Sequence, residues 1–463
     1  MSTFNRFNPL IRLQNALFGV TISFVMTATV IIAAVTALFM ILSVLFKPYL
    51  SFGKAKAGLY VIICFCGAVA ELLFGGLDLS VAVKGVIADS AVNPLKILAL
   101  FLSMTLISVY LGDSGFFNLV AGKVFSPKKG KRSGVRLFIL LYAVVSLLTV
   151  FTSNDIVILT FTPIICIFCK KTGYPPLPFL VGEFVAANTW SIALIVGNPT
   201  NIYLAQSAGV SFYGYFKVMA LPAAAAGISA LGVLLALFGK SLAAADGAAA
   251  TDTADQTIIR INLPCMIAAL LSLSFCIAAL AFADGLGLEM WTIAAGFAVF
   301  LSLFNAVYGI ARGEGLLRAV SGIRKSPWEL VPFVLSMFVI VLALSECGAT
   351  DALSFALVTG GKSDGAVFGF ITAALSNLLN NIPASVVMEK IIADKSLAAA
   401  FGAVIGTNIG AFITPVGALA GIMWNKILSG YGIKLPFYKF ALYGIPVAAV
   451  SLSLSLLTLV LVL

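Results

Sequence analysis

Polar interruptions inside long apolar segments are the feature that most constrains this chain, because a matching pair occurs in each half. The first half contains Thr152-Ser153-Asn154-Asp155 and then Gly197-Asn198-Pro199-Thr200-Asn201. The second half contains Asn380-Asn381-Ile382-Pro383 and then Thr414-Pro415-Val416-Gly417. Inside hydrocarbon, a broken helix persists only where its free backbone groups are buried in protein or line a cavity. Matched breaks in two halves of one chain are typical of secondary transporters, which bind substrate at such breaks.

A second match relates the two halves to each other. We predict an N-terminal repeat at 1–238 and a C-terminal repeat of inverted topology at 261–463. The Ala-rich segment 239–260 has no apolar periodicity and is predicted to be a cytoplasmic linker between them. The matching residues are Leu102-Ser103-Met104 with Leu111, Asp113 and Gly115, which recur without a gap as Leu335-Ser336-Met337 with Leu344, Glu346 and Gly348.

The composition determines the environment of the chain. Of its 463 residues, 61% are hydrophobic and only 10% are charged, and many apolar runs reach the roughly 20 residues that cross a bilayer. The prediction is an all-α polytopic protein of the inner (plasma) membrane, with about ten transmembrane helices. The spans are expected near 18–46, 57–77, 93–117, 176–207, 212–238, 261–283, 288–310, 328–350, 397–427 and 436–462.

Two further apolar units, at about 135–171 and 366–393, each contain one polar break. We predict that each is a re-entrant helical hairpin with the break at its tip. The alternative for the first unit is a pair of full spans, but by the sequence each of its arms is under 18 residues. The spans at about 176–207 and 397–427 contain the second breaks and are predicted to be broken helices at the membrane midplane.

Basic residues indicate the cytoplasmic side. The net charge is +10, but the Lys and Arg residues lie in short loops, such as 123–136, where they set the topology. We therefore predict no nucleic-acid partner; the partners of the chain are the lipid bilayer and a small solute. The first hairpin is expected to enter from the cytoplasm. The flanks of the second hairpin carry fewer basic residues, which favours entry from outside. The two halves then have opposite orientations, and the N-terminus is expected outside.

The breaks supply the candidate binding groups. Freed carbonyls can coordinate a cation, and the N-termini of half-helices favour an anion. Asp155 is the leading candidate among the acids because a carboxylate at membrane depth usually faces an ion path; its alternative role is to cap the half-helix that follows. Glu183 could instead snorkel or pair with a Lys. The predicted substrate- and ion-binding residues are Ser153, Asn154, Asp155, Asn188, Thr189, Asn198, Thr200, Asn201, Asn377, Asn380, Asn381, Thr407, Asn408 and Thr414, with Ser153, Asn154, Asn380 and Asn381 as candidate Na+ ligands.

The residue types exclude several other functions. The chain has no His, so a Ser-His-Asp arrangement cannot form, and it contains no phosphate-binding P-loop motif. The seven Cys lie almost all in apolar runs and are expected to be small apolar filler. We predict no catalytic residues, and no cofactor beyond H+ or Na+ as a coupling ion. Transport driven directly by ATP would require an ATPase partner chain.

Several motifs together carry a family resemblance. They are Leu111-Gly-Asp-Ser-Gly-Phe-Phe117, Ser153-Asn-Asp155 with Leu159-Thr-Phe-Thr-Pro163, Asn380-Asn-Ile-Pro383, Val404-Ile-Gly-Thr-Asn-Ile-Gly410, and Ile413-Thr-Pro-Val-Gly417 with Trp424. In these motifs the chain resembles the ion transporter superfamily, and within it the arsenical pump membrane protein (arsenite permease) branch. The resemblance implies two inverted repeats, each with a hairpin and a broken helix, and an elevator motion within a homodimer.

The chain departs from this family at two positions. Arsenite pumps typically carry Asp where this chain has Asn188 and Asn408, so two candidate proton carriers are replaced by amides. With neutral side chains at these two positions, the chain is similar to the sodium-coupled divalent-anion symporters. We therefore expect a secondary transporter of arsenite or a small inorganic or organic anion, coupled to H+ or Na+. The alternatives are a Na+-coupled dicarboxylate or sulfate symporter, a Na+/H+ antiporter that titrates Asp155, and a channel or membrane scaffold.

Overall fold

The computed structural model describes residues 9–47, 49–52, 55–88, 93–125, 133–245, 261–357, 361, 363–393, 395–414 and 417–463, and these are mostly helical. One antiparallel hairpin is present among them, formed by β1 (Tyr49–Phe52) and β2 (Ala55–Gly58). The α-helices are α1 (Pro9–Phe46), α2 (Leu59–Phe74), α3 (Leu79–Ile87), α4 (Pro94–Asp113), α5 (Phe116–Phe125), α6 (Gly134–Phe151), α7 (Asn154–Thr172), α8 (Pro176–Trp190), α9 (Pro199–Ser207), α10 (Phe212–Ala244), α11 (Leu263–Ala281), α12 (Ala283–Leu286), α13 (Met290–Ala311), α14 (Leu317–Lys325), α15 (Leu330–Glu346), α16 (Ala349–Ala356), α17 (Ser363–Leu379), α18 (Asn381–Ile392), α19 (Leu397–Gly410), α20 (Leu419–Gly430) and α21 (Phe437–Val462).

Long apolar helices confirm the expected polytopic membrane fold. Within the described residues, eight helices are long and apolar enough to cross a bilayer. Shorter apolar helices, among them α2, α17 and α19, supplement them. The eight are Val25–Phe46, Pro94–Asp113, Gly134–Phe151, Phe212–Ala244, Leu263–Ala281, Met290–Ala311, Leu317–Glu346 and Phe437–Val462.

The chain divides into two compact units. The smaller consists of Met1–Asp89 and Glu329–Val358, and the larger of Ser90–Trp328 and Thr359–Leu463. In the smaller unit α2 packs against α1 and α15, and the rings of Tyr60 and Phe333 meet edge to face at 5.4 Å. The larger unit contains both hairpins and both broken helices, so the candidate site lies within one compact unit.

The first hairpin is longer than the sequence indicated. Its arms, α6 and α7, have 18 and 19 residues, whereas we expected fewer than 18. The break consists of only Thr152 and Ser153. Helix α7 continues past Lys170 and Lys171, and Gly173, with a positive φ of 75°, ends it. The linker also begins later than predicted, because α10 continues to Ala244; residues 246–260 lie outside the described part.

Small residues hold α19 very close to α17. A Cβ atom added at Gly402 would lie 2.0 Å from the carbonyl oxygen of Gly365, and one at Gly406 would lie 2.3 Å from that of Gly369. Such a stripe of small residues lets two helix backbones approach each other inside a membrane. The contact places Thr407 and Asn408, at the end of α19, beside the second hairpin.

Candidate substrate and ion site

The tip of the first hairpin presents polar groups at the start of α7. Thr152 and Ser153 have extended backbones, and the helix begins at Asn154. The Asn154 side chain accepts from the backbone N–H of Asp155 at 2.9 Å and donates to Asn188 Oδ1 at 3.2 Å. Ser153 Oγ is buried and has no hydrogen-bond partner among the residues that the structure describes. The tip is therefore joined to α8 and keeps one hydroxyl able to bind a further group.

The first broken helix is interrupted between α8 and α9 by two short 3-10 turns, Ser191–Ala193 and Ile195–Gly197. Asn198 caps α9, because its Oδ1 accepts from the N–H and hydroxyl of Thr200 at 3.2 and 3.1 Å. Asn201 Nδ2 donates to the carbonyls of Ser191 and Leu194 at 2.7 and 3.1 Å. Side-chain amides thus satisfy the backbone groups that the break frees, as burial requires.

Asn408 joins the two broken helices to each other. Its Oδ1 accepts from Ser191 Oγ at 2.8 Å and from Asn198 Nδ2 at 2.9 Å. Its Nδ2 donates to Asn201 Oδ1 at 2.7 Å and to the Val404 carbonyl at 2.8 Å. A carbonyl can only accept, so the Val404 contact fixes the orientation of the amide. All four hydrogen-bonding positions of this buried side chain are in use.

Thr407 extends this junction with a second contact between the halves. Its hydroxyl lies 3.1 Å from that of Thr200, and both residues are fully buried. Ser191 also belongs to the junction, although the sequence reasoning did not select it. The available signal was its place directly after Trp190, at the first residue of the broken segment.

The second half has its own hydrogen bonds between hairpin and broken helix. Asn377 Nδ2 donates to the Gly410 carbonyl at 2.9 Å, and its Oδ1 accepts from Thr414 Oγ1 at 2.8 Å. The backbone N–H of Asn381, at the start of α18, donates to the Gly417 carbonyl at 3.0 Å. Each hairpin tip is therefore hydrogen bonded to the broken helix of its own half.

Asn380, at the second hairpin tip, has a strained backbone. Its φ is 77° and its ψ is 154°, a region occupied almost only by glycine. Among the described residues it is the one non-glycine with positive φ. Such strain costs about 1–3 kcal/mol and persists at binding sites and switch regions.

A continuous path of hydrogen bonds unites most of the predicted residues. It runs from Asn154 to Asn188, through Ser191 to Asn408, and the second half joins it along α19. Other predicted residues stand apart, among them Ser153, whose hydroxyl has no hydrogen-bond partner among the described residues, Thr189 and Asp155. The Thr189 hydroxyl donates within its own helix to the Val185 carbonyl, and the Asp155 side chain is partly exposed beside the tip. The central junction contains amides and hydroxyls but no carboxylate.

This arrangement defines a class of protein. The described residues contain eight candidate spans, one of which is the first arm of the first hairpin, together with two polar hairpin tips and two broken helices that meet at their breaks. These features describe a multi-pass membrane transporter. Comparison with protein families supports the same assignment. The family model described as the citrate transporter, CitMHS, matches residues 59–404. The chain belongs to this family of membrane transporters, within the ion transporter superfamily.

Curated relatives include arsenical pumps and unassigned transporters. An Escherichia coli arsenical pump membrane protein is 30% identical over 365 residues, which cover 75% of this chain and 82% of that protein. The arsenical pump membrane protein of Yersinia enterocolitica is 29% identical over 368 residues, with the same coverage. An uncharacterized transporter of Mycobacterium tuberculosis is 28% identical over 380 residues, covering 78% of this chain and 84% of that protein.

A solved structure shares the fold. The YdaH transporter of Alcanivorax borkumensis, whose crystal structure is described as having an unusual topology, aligns with a TM-score of 0.53. The alignment covers 95% of this chain and 98% of that chain, at 13% sequence identity. The shared fold confirms an architecture that is nearly all helical.

Proposed function

We propose that this protein is a secondary active transporter that moves arsenite or a small inorganic or organic anion across the inner membrane. The observation that carries the proposal is the buried junction in which Ser191, Asn198 and Asn201 of one half bind Asn408 of the other. A site shared by two inverted halves, at the point where both helices break, is what alternating access requires.

The direction of the half-helices favours an anion. Four helices, α7, α9, α18 and α20, begin directly after a break, so their N-terminal N–H groups and positive dipole ends face the broken region. The junction itself is uncharged, because Asn188 and Asn408 supply amides there. An oxyanion or a neutral hydroxide such as arsenite would meet these half-helix N-termini without a competing carboxylate.

A coupling cation would find its ligands at the first hairpin tip. The free Ser153 hydroxyl, the Asn154 side-chain oxygen and the Asp155 carboxylate are adjacent in sequence and at one end of α7. Hard oxygen ligands of this kind suit Na+, and a carboxylate also suits H+. A homodimer, an elevator motion and an ATPase partner remain predictions from the family resemblance.

Transport by the reconstituted protein tests this proposal. Purified protein in liposomes should take up at least one of arsenite, antimonite, sulfate, citrate, succinate and malate when a Na+ or H+ gradient is imposed. Uptake of a carboxylate that needs Na+ would favour the symporter alternative, and Na+ release in exchange for H+ without any anion would favour the antiporter. No gradient-driven flux of any of these solutes would contradict the proposal.

The Asn154→Ala variant links the flux to the site. It removes the bond to Asn188 and should reduce uptake at least tenfold while lowering stability by only about 1–3 kcal/mol. Asn118→Ala, at an exposed position on α5, is the matched control and should transport normally. Equal uptake by both variants would remove Asn154 from the site.

A further inference from the structure

Glu183 on α8 is a carboxyl group that the proposed site does not use. It is fully buried, and the rings of Phe184, Trp424 and Phe440 pack together beside it. Within the described residues, no Lys or Arg acts on its charge, and the groups that do act on its carboxyl are those of Thr162 and Trp424. It therefore neither snorkels nor pairs with a Lys. An uncompensated carboxylate in such surroundings is strongly disfavoured.

The hydrogen bonds of Thr162 favour the protonated form of Glu183. The Thr162 hydroxyl lies 3.0 and 3.1 Å from the two carboxyl oxygens of Glu183, and 2.6 Å from the Ile158 carbonyl. A hydroxyl has one proton, and the carbonyl, which can only accept, makes the shortest contact. With the Thr162 proton on that carbonyl, Thr162 can accept from Glu183, and a protonated carboxyl satisfies all of these contacts.

This pair connects α7 to α8 at a second point. The first is the Asn154–Asn188 bond at the hairpin tip, and Asn188 lies on the same helix as Glu183. Loss of the proton would leave a charge between α7, α8 and α20, to which Thr162 could donate only by giving up its bond to the Ile158 carbonyl. The three helices would then have to separate enough for water to reach it. Protonation at Glu183 is thus coupled to the geometry of the candidate site.

Resting on the proposed function, we infer that Glu183 is the residue that binds and releases the proton in H+-coupled transport. The step is a simple protonation: the carboxylate takes up H+ from water on one side and releases it on the other. Among the described residues, the other titratable group beside it is the Cys166 thiol of α7, which is a far weaker acid. Glu183 therefore alternates between the paired acid and a hydrated carboxylate.

Glu389 on α18 provides a matched control. It is also buried, with 5% exposure, but its carboxylate lies 3.3 Å from Lys390 Nζ. Lys390 therefore acts on its charge, whereas no Lys or Arg among the described residues does so at Glu183. It lies at the same distance from the start of its hairpin arm as Thr162 does on α7. This buried acid in an equivalent arm thus has a neighbouring cation, whereas Glu183 has none among the described residues.

Two transport modes test the inference with Glu183→Gln. The Gln amide can still donate to Thr162, so the fold and substrate exchange between equal concentrations should persist at more than half the wild-type rate. Uptake driven by a pH gradient should fall at least tenfold, and Glu389→Gln should keep both modes. Normal pH-driven uptake by Glu183→Gln, loss of both modes, or loss of coupling only in Asp155→Asn would overturn the inference while leaving the proposed transport function intact.

Infrared spectroscopy tests the proton itself, independently of transport. The wild-type protein should show the C=O stretch of buried protonated carboxyl groups, and one component of this band should be missing from Glu183→Gln but retained in Glu389→Gln. A wild-type spectrum without the band, or a difference spectrum between wild type and Glu183→Gln that contains no such C=O component, would overturn the inference. If the wild-type protein transports none of the solutes, the proposed function fails, and the infrared result still decides whether Glu183 holds a proton.

Discussion

Replacing Asn408 by Asp is the sharpest test of the junction between the two broken helices. The side chains have the same shape, but Asn offers two N–H donors, whereas a protonated Asp offers one O–H and an ionised Asp offers none. The donors of Asn408 face Asn201 Oδ1 at 2.7 Å and the Val404 carbonyl at 2.8 Å. Asn201 cannot turn its amide to compensate without losing its own bonds to Ser191 and Leu194.

The magnitude follows from these contacts. The protonated variant loses one buried donor, which should destabilise the fold by about 1–3 kcal/mol. The ionised variant would place an oxygen against two acceptors, so the folded protein keeps the proton that an unfolded Asp, with an ordinary pKa of about 3.9, releases. Because the folded state then binds more protons, stability falls as pH rises, by about 1.4 kcal/mol for each pH unit above about 4.

Thermal unfolding of the purified protein between pH 5 and pH 8 measures this effect. The difference in unfolding temperature between wild type and Asn408→Asp should widen steadily as the pH rises. The control is Asn118→Asp, which places the same carboxyl at an exposed position on α5 and should follow the wild type. A deficit for Asn408→Asp that is constant across this range would refute the assigned donor pattern.

Two further predictions concern backbone geometry. Gly402→Ala should lower stability by at least about 2 kcal/mol and reduce activity, because its Cβ would lie 2.0 Å from the Gly365 carbonyl oxygen; Gly232→Ala on α10, where no atom lies within 4 Å, should be neutral or up to about 1 kcal/mol stabilising. Equal unfolding temperatures for the two would disprove the close contact. Asn380→Gly should raise the unfolding temperature by relieving about 1 kcal/mol or more of strain at φ 77°, and a fall would show that the Asn380 side chain contributes more than its backbone costs.

The candidate site could be predicted in part. Pro, Asn and Thr interrupt helices through local chemistry, so the breaks near 152–153 and 191–198 follow from neighbouring residues. The participation of Ser191 does not, because a serine after Trp190 becomes important only when Asn408 lies 2.8 Å away. Glu183 illustrates the same limit, since its surroundings come from Thr162 on one helix and Trp424 on another.

The sequence by itself determined that this chain is a helical membrane protein of two related halves, where its helices break, and which family it resembles. The length of an apolar segment and the local capping of a helix depend on residues close together in the chain, so both can be predicted from the sequence. The tertiary structure alone decided which amide donates to which, that Asn408 closes the junction, and that Glu183 is buried without a cation. Those properties depend on helices far apart in sequence, because a buried polar group derives its partners and its protonation from the neighbours that packing brings to it.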